Sequence, residues 1–356
     1  MAHSDTIARS GTRTERTTSP RRGWVWVAAA AAVLVIAVLG ILIGSVVIPL
    51  DGIWQVLSSH LLGSSTTADA VQNQIVWDVR VPRVLAGVLV GAALAVTGVV
   101  IQAVVRNPLG DPYVIGVTPG ASLGAVAAIV LGAGLSWFGV AAAAFVGALV
   151  AFAAIVALAR RGRGWAPGRV ILSGVAIGYL LSAATYFLQV MATPAQLQRA
   201  LYWTLGSVAG VGWSALPLLT VVTVAGSAWL LLRGRWLDAL ASGPELARSQ
   251  GVPVGRFQAE LMGIAALMTA CVVAVVGGVG FVGLVIPHAA RFLVGAAHRR
   301  VLAASLLLGA AFLPAADILA RTVLAPTELP IGIITAAVGA PLFIAQLART
   351  DRKAPA

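Results

Sequence analysis

Charge is what this sequence has least of. Only 10% of its 356 residues are Asp, Glu, Lys or Arg, whereas soluble domains run near 25%, so a water-facing surface cannot be built from this composition. Lysine is reduced to Lys353 alone. The single cysteine, Cys271, excludes a disulfide framework and a thiolate metal cluster, and inside an apolar run it reads as a small packing residue. No GxxxxGK(S/T) phosphate loop occurs, so the chain cannot cradle ATP phosphates itself. Acidic residues are almost missing from the interiors of the apolar runs, which argues against an ion-coupled secondary transporter. No paired carboxylates, His cluster or Ser/Lys constellation is placed for an intramembrane enzyme. His288 stands alone, too few ligands for zinc or iron, and reads as a turn or helix-cap residue.

What is present is apolar: 59% of the residues, with a mean hydropathy of +0.95. A run of about 20 apolar residues in a helix crosses the roughly 30 Å bilayer core with its backbone hydrogen bonds made internally. Ten such segments can be drawn: Trp24–Ile48, Val84–Val105, Val114–Leu131, Phe138–Leu158, Val170–Met191, Trp213–Leu232, Phe257–Val276, Gly280–Val294, Val301–Thr322 and Ile331–Leu347. The third and eighth are short and broken by Gly or Pro, which is tolerated only where protein or a wet cavity covers the backbone. The fold expected is therefore an all-α polytopic membrane protein of ten transmembrane helices. Residues 1–22 form a polar, basic tail expected to be disordered, 23–348 the membrane domain and 349–356 a second tail.

The formal charge of +12 does not point to nucleic acid, because the arginines sit between apolar runs and not along one face. They report topology instead. With the N-terminus in the cytoplasm, twenty of the 24 Lys and Arg residues fall inside, and only Arg80, Arg83, Arg199 and Arg321 fall outside. Ten spans with both termini cytoplasmic, in the cell membrane, is the arrangement this distribution fits. An echo between Gly98–Leu109 and Gly278–Arg291, each with glycines, a proline and an arginine, suggests repeated, inverted halves.

Two connections are polar enough to work in water: Leu50–Arg83 outside and Arg233–Arg256 inside. The inner one reads as two short helices. Trp236–Ala241 carries Leu237 and Leu240 on one side. Ser242 is placed to N-cap a second helix, with Glu245 completing a capping box. Pro244 suits a first turn, and Gly251 with Pro253 ends it. Such a projection is either a structured loop or a knob that docks into a partner and takes up its motion.

Leu240-Ala-Ser-Gly-Pro-Glu-Leu-Ala followed by Arg248-Ser-Gln-Gly-Val-Pro resembles the coupling segment of the FecCD family. That family comprises permease subunits of binding-protein-dependent ABC importers for ferric siderophores, haem and cobalamin. Arg80-Val-Pro-Arg83, Arg106-Asn-Pro-Leu-Gly-Asp-Pro112, Gly280-Phe-Val-Gly-Leu-Val-Ile-Pro-His288, Asp317-Ile-Leu-Ala-Arg321 and Glu328-Leu-Pro-Ile-Gly332 resemble its other signatures, in the same order. The likeness spans Trp24 to Leu347; Gln250 and Gly110 depart from it, where an apolar residue and alanine are commoner.

The resemblance implies a type II ABC importer permease that binds no cofactor itself. Its partners would be two ABC ATPase subunits holding ATP and Mg, an extracytoplasmic substrate-binding protein, a second permease copy or a related chain, and membrane lipid. The cargo expected is a ferric siderophore, with cobalamin or haem as the alternative. ATPase coupling is expected at Leu240, Ser242, Gly243, Glu245, Ala247, Arg248 and Gly251. Binding-protein docking is expected at Arg80, Arg83 and Arg321; the other reading pairs Arg321 with Asp317 at i,i+4 and Arg80 with Asp78 or lipid headgroups. Asn107 and Leu109 would help close the cytoplasmic gate, or simply form an Asn-Pro turn. Ser173, Gly178, Ser182 and Thr185 would line the pathway, a small-residue face that equally suits close helix packing.

Overall fold

The computed structural model describes residues 23–63, 69–112, 116–132, 136–159 and 167–351. The tail 1–22, the start of the expected third span at Val114, the arginines at 160, 161 and 163 and residues 352–356 lie outside that range. Among the described residues every regular element is helical. Membrane-crossing length and apolarity belong to α1 (Gly23–Leu42), α4 (Val81–Val105), α6 (Trp137–Ala159), α7 (Pro167–Val190), α9 (Leu216–Leu232, with a 3₁₀ turn at Trp213–Ala215), α12 (Val254–Val276) and α14 (His298–Thr322). Three shorter apolar helices, α5 (Val117–Leu131), α13 (Val282–Val294) and the apolar part of α15 (Ile331–Asp351), complete the ten.

The connections hold more structure than their polarity announces. The first span ends at Leu42 and not at Ile48, and Pro49 then leads into α2 (Leu50–Leu62). The outer stretch up to Arg83 is not a loop. α3 (Ala70–Asn73) passes through a π-helical segment, Gln74–Arg80, directly into α4, so one helical rod covers Ala70–Val105. Ile48, Ile53, Val56 and Val76 form a small core beneath α2. Above it His60 stacks on Trp77 at 4.1 Å, and the Trp213 indole N–H donates to the Trp77 carbonyl at 2.9 Å. Between the fifth and sixth spans lies α8 (Pro194–Leu205), which no long apolar run announces. Its start is a capping box between Thr193 and Gln196, a local signal hidden by the strong apolar runs on either side.

In lipid, apolar side chains gain little by leaving one apolar medium for another, so helices associate through close packing at small residues. α4 shows this along its whole length. A Cβ on Gly91 would collide with the backbone of Gly309 in α14, and one on Gly98 with the backbone of Gly283 in α13. Gly120 of α5 meets Gly147 of α6 in the same way. The contacts are reciprocal between halves: α4 packs on α13 and α14, while α12 packs on α5 and α6. Each half also leaves helix after its second span: α4 ends at Val105 and α12 at Val276. Equivalent helices lie five spans apart, and an odd offset reverses their direction across the bilayer.

Candidate translocation and coupling sites

The short helices create the first site. At 15 and 13 residues, α5 and α13 reach only about 22 and 20 Å, less than the bilayer core. A helix this short leaves backbone at membrane depth that must be covered or wet. Both leading segments border one cavity of about 420 Å³, lined by Asp111, Thr204, Leu205, Gly278, Gly280, Phe281, Leu284, Gly332 and Ala336. Phe281 holds a left-handed conformation at φ 67° immediately before α13, a placement uncommon for a bulky residue. Apart from Asp111 and Thr204 the lining residues are apolar or glycine.

The α7 residues expected to line a pathway do not border this cavity. Ser173 and Thr185 are buried, Gly178 faces Pro119 of α5, and Thr185 Oγ1 donates to the Leu181 carbonyl at 2.8 Å. None of Ser173, Gly178, Ser182 and Thr185 borders the cavity. The helix packs against α5, the other reading the sequence allows, and a packing face and a pathway wall do not exclude each other. α7 instead exposes Leu172, Val175, Tyr179, Leu180, Tyr186 and Phe187. Asp111, Gly280, Phe281, Leu284 and Gly332 of this lining fall within the family-like motifs of the sequence, whereas Leu205 and Ala336, apolar residues among many, carry no distinguishing sequence signal.

The second site is the projection made by α10 (Gly234–Ala241) and α11 (Pro244–Ser249). Leu237 and Leu240 are buried, and burying side chains of this size stabilises by about 1.5–3 kcal/mol each. Trp236 stands edge-on to Phe257 at 5.3 Å, and the Arg233 guanidinium lies 4.3 Å above the Trp236 ring. Asp238 accepts the backbone N–H of His298 at 2.8 Å, tying α10 to the first turn of α14.

Ser242 does not cap α11, contrary to expectation. Its hydroxyl turns back to donate to the Asp238 carbonyl at 3.1 Å. The N-cap is Gly243, whose φ of 121° suits glycine. Glu245 pairs with Arg248 on the exposed face, a contact worth little to stability. The C-terminal reading holds: Gly251 N–H donates to the Arg248 carbonyl at 2.9 Å and Val252 N–H to that of Ala247 at 3.0 Å, a Schellman closure. Ala247 is buried, while Ser242, Glu245, Leu246, Arg248, Ser249 and Gln250 form an exposed face.

Beside this projection lies the turn after α4. Leu109 N–H donates to Asn107 Oδ1 at 2.9 Å, and Gly110 N–H to the Asn107 carbonyl at 3.0 Å. Asn107 thus builds a turn that leaves Leu109 exposed. Asn107 and Ala241 border one cavity of about 310 Å³ with Arg106, His288, Arg291 and His298. His288 sits inside α13, after Pro287, and is neither a turn nor a cap residue.

The third site lies at the far end of α14. Three arginines expected on the outer surface, Arg80, Arg83 and Arg321, are buried, at 3%, 6% and 2% exposure. Arg80 donates to the carbonyls of Ile41, Leu42 and Val46, closing the end of α1. Arg83 grips Asp317 through Nη2 at 2.8 Å and Nε at 3.0 Å, and reaches Glu328 at 3.0 Å. Arg321 approaches Asp317 at 3.2 Å, the i,i+4 alternative. Their charge is turned inward, so docking through them requires this cluster to open.

The three sites fix the directions of the spans. α1 ends at the arginine cluster, α4 begins there and ends at the turn beside α10, and α14 runs back from α10 to the cluster. Odd spans run one way and even spans the other, as ten crossings demand.

Relatives place this architecture. The FecCD transport family profile matches residues 32–349. A Halobacterium salinarum protein, the cobalamin import system permease BtuC, is 44% identical over 270 residues, covering 76% of this chain and 72% of its own. The vitamin B12 import system permease of Klebsiella pneumoniae is 38% identical over 276 residues, covering 77% and 82%. A solved structure described as an inward-facing conformation of a metal-chelate type ABC transporter superposes with a TM-score of 0.80 at 31% identity, over 92% of this chain and 99% of that one. With ten helices in two reciprocal halves and a projecting helix pair, this chain belongs to the FecCD transport family and is an ABC importer permease.

Proposed function

We propose that this permease translocates cobalamin or a closely related corrinoid, delivered by an extracytoplasmic binding protein and driven by ABC ATPase subunits docked on α10 and α11. The observation carrying the cargo is the 44% identity to a cobalamin import permease, over 270 residues. The relative of known structure described as a metal-chelate transporter is more distant, at 31%, and supports ferric siderophore as the second reading. The apolar cavity of about 420 Å³ suits either bulky chelate once a second permease copy widens it across a two-fold axis. Twenty cytoplasmic and four external basic residues orient the projection toward the cytoplasm, where the exposed face around Leu246 meets the ATPase. In this reading Asn107 and Leu109 belong to the gate on the same side.

The test is uptake of radiolabelled cobalamin and of radiolabelled ferric siderophore in cells with and without the gene, under iron limitation. Loss of cobalamin uptake, restored by the gene, is the result expected. Loss of siderophore uptake alone replaces the cargo and keeps the importer. Loss of neither overturns both cargo assignments.

A further inference from the structure

Helix α2 has three faces, and its neighbours account for only one of them. With successive residues about 100° apart on a helix, Ile53 and Val56 share one side, where they are buried in a small core with Val76 of the rod leading into α4. Asp51, Gln55 and Ser59 lie about 120° from that side and form a polar edge. Leu50, Trp54 and Leu61 make the third edge, again about 120° from each of the others. This edge is apolar, yet its residues are 69%, 66% and 69% exposed.

The height of α2 follows from α1. No charged residue occurs between Arg22 and Asp51, and the 20 residues of α1 measure about 30 Å, the thickness of the bilayer core. α2 begins a short connection later, at the boundary where that core ends. Along the way the apolar exposure does not lapse. Leu34, Val35 and Val38 face outward on α1, Val46 and Val47 face outward in the connection, and Leu50 and Trp54 carry the same surface onto α2. We propose that α2 is an interfacial anchor that binds a lipid surface, lying along the outer leaflet opposite the projection. Leu50, Trp54 and Leu61 enter the boundary between headgroups and acyl chains, the polar edge meets water, and the buried side rests on the rod. A helix with separate apolar and polar edges takes this position in a bilayer, and tryptophan concentrates at that depth. α2 carries neither Lys nor Arg, so apolar burial holds it there and not attraction to anionic headgroups.

The test uses the permease with its ATPase subunits in phosphatidylcholine vesicles. A nitroxide is attached at Trp54→Cys, Leu61→Cys or Gln55→Cys, each combined with Cys271→Ala. At positions 54 and 61, collisions with oxygen, which dissolves in lipid, should exceed those with a water-soluble nickel chelate several-fold. At position 55 the order should reverse. Nickel access at position 54 equal to that at 55 places the edge in water and overturns the proposal. Protection from both reagents assigns the edge to a protein surface, the binding protein or another permease copy, and overturns it as well. Should the cysteine variants fail to fold, Trp54→Phe keeps an aromatic ring in place. Quenching of tryptophan fluorescence by lipids brominated high on the acyl chain should then fall below that of the wild type, and an unchanged quenched fraction overturns the proposal.

Discussion

Asp238 and His298 share a single oxygen: Oδ1 of Asp238 accepts the His298 backbone N–H and lies 2.8 Å from its Nδ1. One residue belongs to the projecting helix α10 and the other begins α14, so this shared oxygen, beside the packing of Gly234 on Arg299, ties the projection to α14. α14 has 25 residues, a rod of about 37 Å, and its other end carries Asp317 and Arg321.

Asp238→Ala therefore should loosen the link without unfolding the protein, since losing a side-chain partner of a helix N-terminus costs about 1 kcal/mol. In proteoliposomes the ratio of ligand transported to ATP hydrolysed should fall by about fivefold or more. Asp238→Asn, which keeps an acceptor oxygen, should fall less. An unchanged ratio in Asp238→Ala would remove this bond from the coupling route.

Arg83→Met should be the most destabilising single change at the outer end. It leaves Asp317 and Glu328 facing each other without their principal cation, and breaking one partner from a buried ion pair costs about 3–5 kcal/mol. Arg83→Lys should recover only part of the loss, because an ammonium cannot reproduce the forked contact with Asp317. Thermal unfolding in detergent measures both; a wild-type midpoint in Arg83→Met would deny the cluster its clasping role.

Gly98→Ala and Gly263→Ala should part company. A methyl at 98 meets the backbone of Gly283, whereas one at 263 meets nothing within 4 Å. Gly263→Ala should be neutral or stabilise by up to about 1 kcal/mol through helix propensity. Gly98→Ala should reduce the yield of folded protein, read by size-exclusion chromatography. Equal yields would mean α4 and α13 can separate freely.

Leu246→Asp should leave the fold intact, because Leu246 is exposed on α11, and abolish co-purification of the ATPase. Undiminished co-purification would place the ATPase contact elsewhere.

The ten crossings were legible because apolar length is a direct physical requirement of the bilayer, and the short third and eighth helices were legible from their glycines and prolines. Other features depended on distant residues. Arg83 finds Asp317 and Glu328 across 234 and 245 positions, so a reading of rare external arginines as surface charge missed that they face one another's partners. Ser242 carried the right chemistry for a cap, but the positive φ at Gly243 moved the helix start one residue onward. The small face of α7 is ambiguous in sequence for a subtler reason: small residues suit both a channel wall and a tight helix contact, and α5 packs on this helix.

The glycine contacts of α4 carry a consequence for how such a chain can change over time. Successive residues on a helix point about 100° apart, so inserting or deleting one residue inside α4 would swing a side chain into the space between Gly91 and Gly309, or between Gly98 and Gly283. The bundle would jam at its centre, whatever the new residue was. Length variation is thereby expelled from this rod into the turns, and residues 81–105 are expected to keep a fixed span while the surrounding connections lengthen and shorten.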